Sequence, residues 1–255
     1  MDYEELKKLI YQKTKIDLSL YKERQMKRRI DSLIKRNGFT GYKDYYNVIN
    51  KDKELFNEFI NYLTINVSEF YRNFNQWDLL KKEIIPSLLD KNKNLTIWSA
   101  ACSTGEEPYS LAMCLSEFLP LSSIKILATD IDKEVIAKAK IGIYSDKSIK
   151  NIPKPLLNKY FTKIGEDYKI SDEIKKCITF KQHNLLNDIY PSKCDLIVCR
   201  NVMIYFTEES KNMMYEKFGN SLNKEGILFV GSTEQIILPA RYNFSSLKTF
   251  FYQKV

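Results

Sequence analysis

The chain has 255 residues, 44% hydrophobic and 28% charged, with a net charge of +8 at neutral pH. Such a composition excludes a disordered or fibrous chain, and no apolar run approaches the roughly 20 residues of a membrane span. One large domain or two modest ones can be built from this length, and the positive charge favours an acidic partner without specifying its kind.

Residues 1–64 carry helical periodicity and almost no strand signal. Leu6, Leu9 and Ile10 recur at helical spacing, and so do Met26, Ile30, Leu33 and Ile34. Gly38 reads as a helix stop, Thr40 as the cap of a third helix in GYKDYYNVIN, and KELFNEFINYL as a fourth. An all-α N-terminal domain over residues 1–70 is expected. Its second helix carries Lys22, Arg24, Lys27, Arg28, Arg29, Lys35 and Arg36 against only Glu23 and Asp31. Lys22, Arg29 and Arg36 are seven apart and share one face. The stripe reads either as a solvated face or as a docking surface for an acidic partner. Its docking candidates are Lys22, Arg24, Arg28, Arg29 and Arg36.

FNQWDLLKKEIIPSLLDKN reads as a linking helix within residues 71–93, bent or ended at Pro86. From residue 94 to the end, β-rich runs alternate with helical stretches. The runs are LTIWSA, IKILATD, ITFKQHNL, CDLIVCRN, GILFVGS and FFYQKV; the helices are PYSLAMCLSEFL, KEVIAKAKIG and EESKNMMYEKFGNSL. This alternation predicts an α/β domain with a mainly parallel sheet. YFTKIGEDYKIS reads as a small hairpin turning at 165–167, inserted at about residues 157–180.

Cys102, Cys114, Cys177, Cys194 and Cys199 form no CxxC pair, and His183 is the one histidine. No metal, buried reduced thiols and a packed or surface histidine are therefore expected. MDYEELKKLIYQKTK is unlike a signal peptide, so a cytoplasmic location is expected.

In a parallel sheet of this kind, ligands sit at the carboxyl ends of the strands. Asp130 closes the strand KILATD and is placed to bond a ribose diol, while Asp132 can cap the following helix. The loop SAACSTGEEPYS lacks both GxGxxG and GxxxxGK[ST]. Glu106 and Glu107, just before Pro108 at an expected first helical position, would repel a pyrophosphate there but suit an ammonium group. S-adenosylmethionine carries adenosine, a diol, an ammonium and a sulfonium together. Arg72, in TINVSEFYRN, could grip the carboxylate of such a ligand.

NVSEFYRN, IWSAACSTGEEPYSLA, ATDID, NLL, CRNVMIYF and GSTE, in this order over nearly the whole chain, resemble the chemotaxis receptor glutamate methyltransferases of CheR type. The resemblance implies a Rossmann-like S-adenosylmethionine-dependent methyltransferase domain with a small inserted antiparallel β-subdomain, behind the all-α domain. It implies cofactor contacts at Asn66, Ser68, Arg72, Glu107, Asp130, Asn184, Leu185, Arg200 and Asn201. Of these, Asn184 and Leu185 would meet the adenine. Arg72 and Tyr205 would be catalytic, with Tyr205 beside the sulfonium. Ser68 stands where threonine is more usual and keeps the hydroxyl. The implied reaction methylates glutamates of a receptor's cytoplasmic domain and leaves S-adenosylhomocysteine, by a monomer without membrane insertion or nucleic acid. Some members hold a receptor's C-terminal pentapeptide on a longer β-subdomain loop. FTKIGEDYKIS is short for that, so no such tether is expected. A nucleic-acid methyltransferase and a non-catalytic cofactor-binding adaptor or sensor are the rival readings.

Overall fold

A computed structural model describes all 255 residues. Its contacts divide the chain into two units, residues 1–66 with 202–214, and residues 67–201 with 215–255.

The first unit holds α1 (Tyr3–Thr14), α2 (Glu23–Arg36), α3 (Tyr42–Ile49) and α4 (Lys53–Thr64). A capping box starts α1: Asp2 accepts from the Glu5 N–H at 2.8 Å and Glu5 accepts from the Asp2 N–H at 3.1 Å. Leu6, Ile10, Met26, Ile30, Leu33, Tyr45, Phe59 and Leu63 form the buried interior. Gly38, at φ +80°, ends the turn after α2, as its lack of a Cβ allows. Thr40 does not cap α3; the N-cap is Gly41, and no side chain bonds the first turn. The sequence did not signal that residues 202–214 belong here. The Tyr205 carbonyl accepts from the Lys22 N–H at 2.9 Å, and the Leu20 carbonyl from the Thr207 N–H at 3.0 Å. These bonds make a short antiparallel bridge, with Tyr21 edge-on to Phe206 at 4.9 Å.

In the second unit the expected linking helix is one continuous helical run, distorted just before Pro86. α5 (Phe74–Leu79) runs into one π-type turn, Leu80–Ile84, before α6 (Ile85–Lys91). Pro86 lies in the first turn of α6. A proline there offers no N–H to the preceding turn, and a local change to i→i+5 bonding accommodates the loss.

The strands are β1 (Ile97–Ser99), β2 (Ile126–Asp130), β3 (Ile143–Ser145), β4 (Phe161–Ile164), β5 (Asp167–Ile170), β6 (Ile178–Gln182), β7 (Cys194–Cys199), β8 (Leu222–Val230), β9 (Phe244–Lys248) and β10 (Phe251–Lys254). Between them lie α7 (Glu106–Leu115), α8 (Lys133–Ile141), α9 (Asp146–Ile149), α10 (Lys154–Tyr160), α11 (Asp172–Lys176) and α12 (Glu208–Ser221). The main sheet runs β6-β2-β1-β7-β8-β10-β9. β6 through β8 pair in parallel, whereas β10 pairs antiparallel to both neighbours. The chain moves outward from β1 to β2 and β6, then returns to β7 on the other side. β1 and β7 thus flank the topological switch point, where the carboxyl ends open a crevice. Every residue of β7 is buried, as both-face coverage of a parallel strand requires.

The small antiparallel sheet, β3-β5-β4, contains the expected hairpin, closed by Gly165 and Glu166, and adds the unanticipated strand β3. All five cysteines are free and buried. No helix is long and apolar enough to cross a membrane.

Gly105 is the N-cap of α7 at φ +97°. A Cβ there would meet the Tyr109 ring at 2.9 Å, Ala139 at 3.0 Å and the Tyr144 hydroxyl at 3.0 Å. Left-handed strain and overpacking add, so Gly105→Ala is expected to cost about 3 kcal/mol. Thermal denaturation checks it; an unchanged Tm would show that this turn has room to relax.

Candidate functional site

The site grows from the crevice between β1 and β7. Val67, Ser68, Glu69, Arg72, Ala101, Ser103, Glu107, Arg200 and Asn201 line one cleft there. Five of the predicted residues, Ser68, Arg72, Glu107, Arg200 and Asn201, are thereby brought together.

Arg72 is presented by a segment pinned on either side. Phe70 is fully buried, edge-on to Tyr144 at 4.8 Å and to Phe161 at 5.5 Å. Tyr71 packs on Trp77 at 5.5 Å, and its N–H donates to the Ser110 hydroxyl at 3.1 Å. Tyr71 and Asn73 both take positive φ, 51° and 61°, conformations a non-glycine residue keeps only when its surroundings impose them. The Arg72 carbonyl accepts from the Trp77 indole at 3.0 Å and from the Arg200 guanidinium at 2.8 Å. Arg72 itself stays half-exposed, donating to the Val67 carbonyl at 3.3 Å.

Arg200 is buried, and its hydrogen-bond partners are protein groups. Besides Arg72 it donates to Gln76 at 2.7 Å and Asn73 at 3.4 Å, and it lies over Phe229 at 4.7 Å and Trp77 at 5.5 Å. Its second terminal nitrogen is 3.9 Å from the Glu107 carboxylate. Burial lowers the guanidinium pKa, against the opposing pull of Glu107 and then Glu234.

The two glutamates divide. Glu106 is held locally, accepting from the Thr104 hydroxyl at 2.7 Å, and Ser68 also bonds it. Glu107 lines the cleft, accepts from the Ser99 hydroxyl at 2.8 Å and faces Arg200. Burial pushes its carboxyl up to about 7, although Arg200 and then Ser99 pull it down. Because α7 begins at Glu106, Pro108 is its third residue and not its first. The position is tolerated, since the first four N–H groups of a helix have no partner within it.

Asp130 and Asp132 also separate. Asp132 caps α8 through the Glu134 N–H at 2.8 Å. Asp130 accepts from the Ser103 N–H at 2.8 Å and the Asp132 N–H at 3.0 Å, and burial raises its carboxyl to about 6. Two backbone N–H groups orient this carboxylate and leave lone pairs free, since each oxygen has two.

Asn184 and Leu185 follow β6 in a separate turn. The Asn184 side chain accepts from the Leu186 N–H at 3.0 Å, and the Leu185 carbonyl from the Tyr190 hydroxyl at 2.8 Å. This turn joins the strand end through the His183 N–H, which donates to the Asp130 carbonyl at 2.8 Å. The His183 ring packs edge-on to Trp98 at 5.5 Å.

Asn66 and Tyr205 belong to the first unit, where the Asn66 amide donates to the Thr64 hydroxyl at 2.8 Å. There α2 shows its charge unevenly. Lys22, Arg24 and Arg28 are exposed. Arg29 donates to the Tyr62 carbonyl at 2.6 Å and lies over the Tyr62 ring, while Arg36 pairs with Glu58 at 2.5 Å. Two of the five docking candidates thus tie α2 to α4.

One role escaped the sequence. Glu234, in GSTE, is buried and accepts from the Asn201 N–H at 2.6 Å and the Gly231 N–H at 2.8 Å, holding Asn201 at φ 59°. A Cβ on Gly231 would lie 2.5 Å from that carboxylate. The glycine in the motif signalled a close approach; its partner could come only from the fold. No group of three or more His, Cys, Asp or Glu side chains is arranged to hold a metal.

Family models agree with this arrangement. The CheR methyltransferase all-alpha domain matches residues 1–64, and the CheR methyltransferase SAM binding domain matches residues 66–251. A chemotaxis protein methyltransferase of Listeria innocua is 43% identical over 99% of this chain and 97% of its own. Proteins of the same name from Borreliella burgdorferi and Escherichia coli are 37% and 33% identical, over 92% and 98% of this chain and 91% and 86% of their own.

A buried carboxylate with a raised pKa opposes folding once ionised. Glu107 therefore contributes most to stability below its unfolded value of 4.5, and that contribution is lost as pH rises through about 7. Glu107→Gln removes the dependence. At pH 8 the variant is expected to be the more stable by up to roughly 3 kcal/mol, at about 1.4 kcal/mol per tenfold change in proton affinity. At pH 4.5 the advantage should vanish. Denaturant melts across this range decide it, and a variant less stable at both ends would refute the reading.

Proposed function

Since this chain belongs to the CheR methyltransferase family, we propose that it methylates glutamate side chains on the cytoplasmic domain of chemotaxis receptors. The products are a glutamyl methyl ester and S-adenosylhomocysteine. The observation that carries the reading is Glu107, a carboxylate buried in the crevice beside Arg200. Buried acids lining a nucleotide-type crevice fit a ligand with an ammonium and a diol, and do not fit a pyrophosphate.

S-adenosylmethionine, when bound, supplies a methyl group made electrophilic by its sulfonium. Glu107 would hold the ammonium, Asp130 the ribose diol and Arg72 the carboxylate, with Asn66 and Ser68 beside them. Asn184 and Leu185 would meet the adenine, and Asn201, kept in place by Glu234, the strand end. Tyr205 would lie beside the sulfonium. Arg200 acts from beneath, fixing Glu107 and the Arg72 backbone. An acceptor glutamate with an ordinary pKa of about 4.3 is ionised at neutral pH, so no residue of the chain has to remove a proton. Catalysis then rests on alignment. Of the docking candidates, Lys22, Arg24 and Arg28 are exposed and would meet an acidic receptor surface, with Arg29 and Arg36 supporting the helix that carries them.

Incubation with labelled S-adenosylmethionine and chemoreceptor-containing membranes should yield base-labile methyl esters. Arg72→Ala should lower kcat/KM by roughly a hundredfold; full activity in that variant would sink its role. For docking, Arg24→Glu with Arg28→Glu is expected to raise KM for receptor about tenfold while leaving S-adenosylhomocysteine affinity alone. Equal losses in both measurements would remove α2 from receptor binding.

A further inference from the structure

The cleft contains a hydroxyl without a partner. Ser103 is only 9% exposed, lines the cleft with Arg72, Glu107 and Arg200, and its Oγ makes no hydrogen bond. A buried hydroxyl left unsatisfied destabilises a protein, and native chains keep few of them. The backbone at Ser103 is also in the left-handed region, at φ 46°. Its N–H, donated to Asp130 at 2.8 Å, holds it there. A strained residue with an orphaned polar atom at the rim of a ligand crevice is poised to serve the ligand.

We propose that Ser103 is a cofactor-positioning residue whose hydroxyl donates to the carboxylate of the ligand's amino-acid end. The assignment rests on the methyltransferase reading. Two features select that end over the ribose. The cleft that Ser103 lines also presents Arg72 and Glu107, the complements of a carboxylate and an ammonium. Asp130, in turn, already receives the Ser103 N–H, so this residue bonds the ribose-side acid with its backbone and keeps its side chain for the other end.

The test uses calorimetric binding of S-adenosylhomocysteine and of 5′-methylthioadenosine, which has the nucleoside and sulfur but no amino-acid end. Ser103→Ala is expected to weaken S-adenosylhomocysteine about tenfold, the loss of one hydrogen bond to a charged group. Methylthioadenosine should bind both proteins equally, and the ligand-free variant should melt no lower than the parent. Unchanged S-adenosylhomocysteine affinity, equal weakening of both ligands, or a lowered ligand-free Tm would each overturn the assignment. Failure of the parent protein to bind either ligand would instead refute the proposed function.

Discussion

A guanidinium can stay inside a protein only if acceptors reach it from several directions, and Arg200 meets that requirement at the centre of this fold. Its partners come from the segment before α5, from α5 itself and from the start of α7: the Arg72 carbonyl, Gln76, Asn73 and Glu107. The ring faces of Trp77 and Phe229 enclose it. Two stretches far apart in sequence, residues 72–76 and the start of α7, are therefore fixed against one side chain. Removing Arg200 would leave the ionised Glu107 carboxylate buried without a cation, at about 3–5 kcal/mol. The cleft consequently has a rigid floor, on which Arg72 can remain half-exposed without losing its position.

Four of the eleven non-glycine residues at positive φ surround that floor. Tyr71, Asn73, Ser103 and Asn201 are non-glycine residues at positive φ, and all four lie in or beside the cleft. Each has a specific holder: the Ser110 hydroxyl and Trp77 for Tyr71, Arg200 for Asn73, Asp130 for Ser103, and Glu234 for Asn201. The raised pKa values of Glu107 and Asp130 belong to the same pattern, because burial has put carboxylates where charge is costly. A protein selected for stability alone would relax these features. Buried carboxylates beside a backbone held in strained conformations are what a site kept ready for a polar ligand requires.

Burial on both faces explains which parts of the fold were legible in the sequence. β1, β2, β7 and β8 are anchored by apolar runs, as parallel strands covered on both sides must be. β9 escaped because only Phe244 of its five residues is buried, and β3 because it is three residues long with one buried. Asp130 and Glu107 could be picked out because a strand end and a helix start are local features. Arg200 was read toward a cofactor, and its side chain instead bonds protein groups contributed by residues 72–76; nothing local to CRNVMIYF reveals that direction. Glu234 could be placed at a strand end, but its partner Asn201 could not be read from the sequence. The regular charge spacing on α2 also misled, because a seven-residue period ignores which face packs on α4, and Arg29 lies at that boundary.

The bridge between residues 20–22 and 205–207 has a mechanical consequence of its own. Lys22 is the N-cap of α2, the helix bearing Arg24 and Arg28, and its N–H is bonded to the carbonyl of Tyr205. Tyr21 packs edge-on to Phe206, and Ser210 donates to the Leu20 carbonyl at 3.0 Å. The start of the basic helix and the turn carrying Tyr205 are thus one hydrogen-bonded piece. A partner that pulls on α2 acts on Tyr205 through two residues of chain and one hydrogen bond, without any intervening loop to absorb the movement. Such a linkage transmits force only if both ends are ordered, and both are, with Leu18 and Phe206 buried on either side of it. Displacement of the start of α2 and the geometry at Tyr205 should accordingly be coupled energetically, since neither can shift relative to the other without stretching the bond they share.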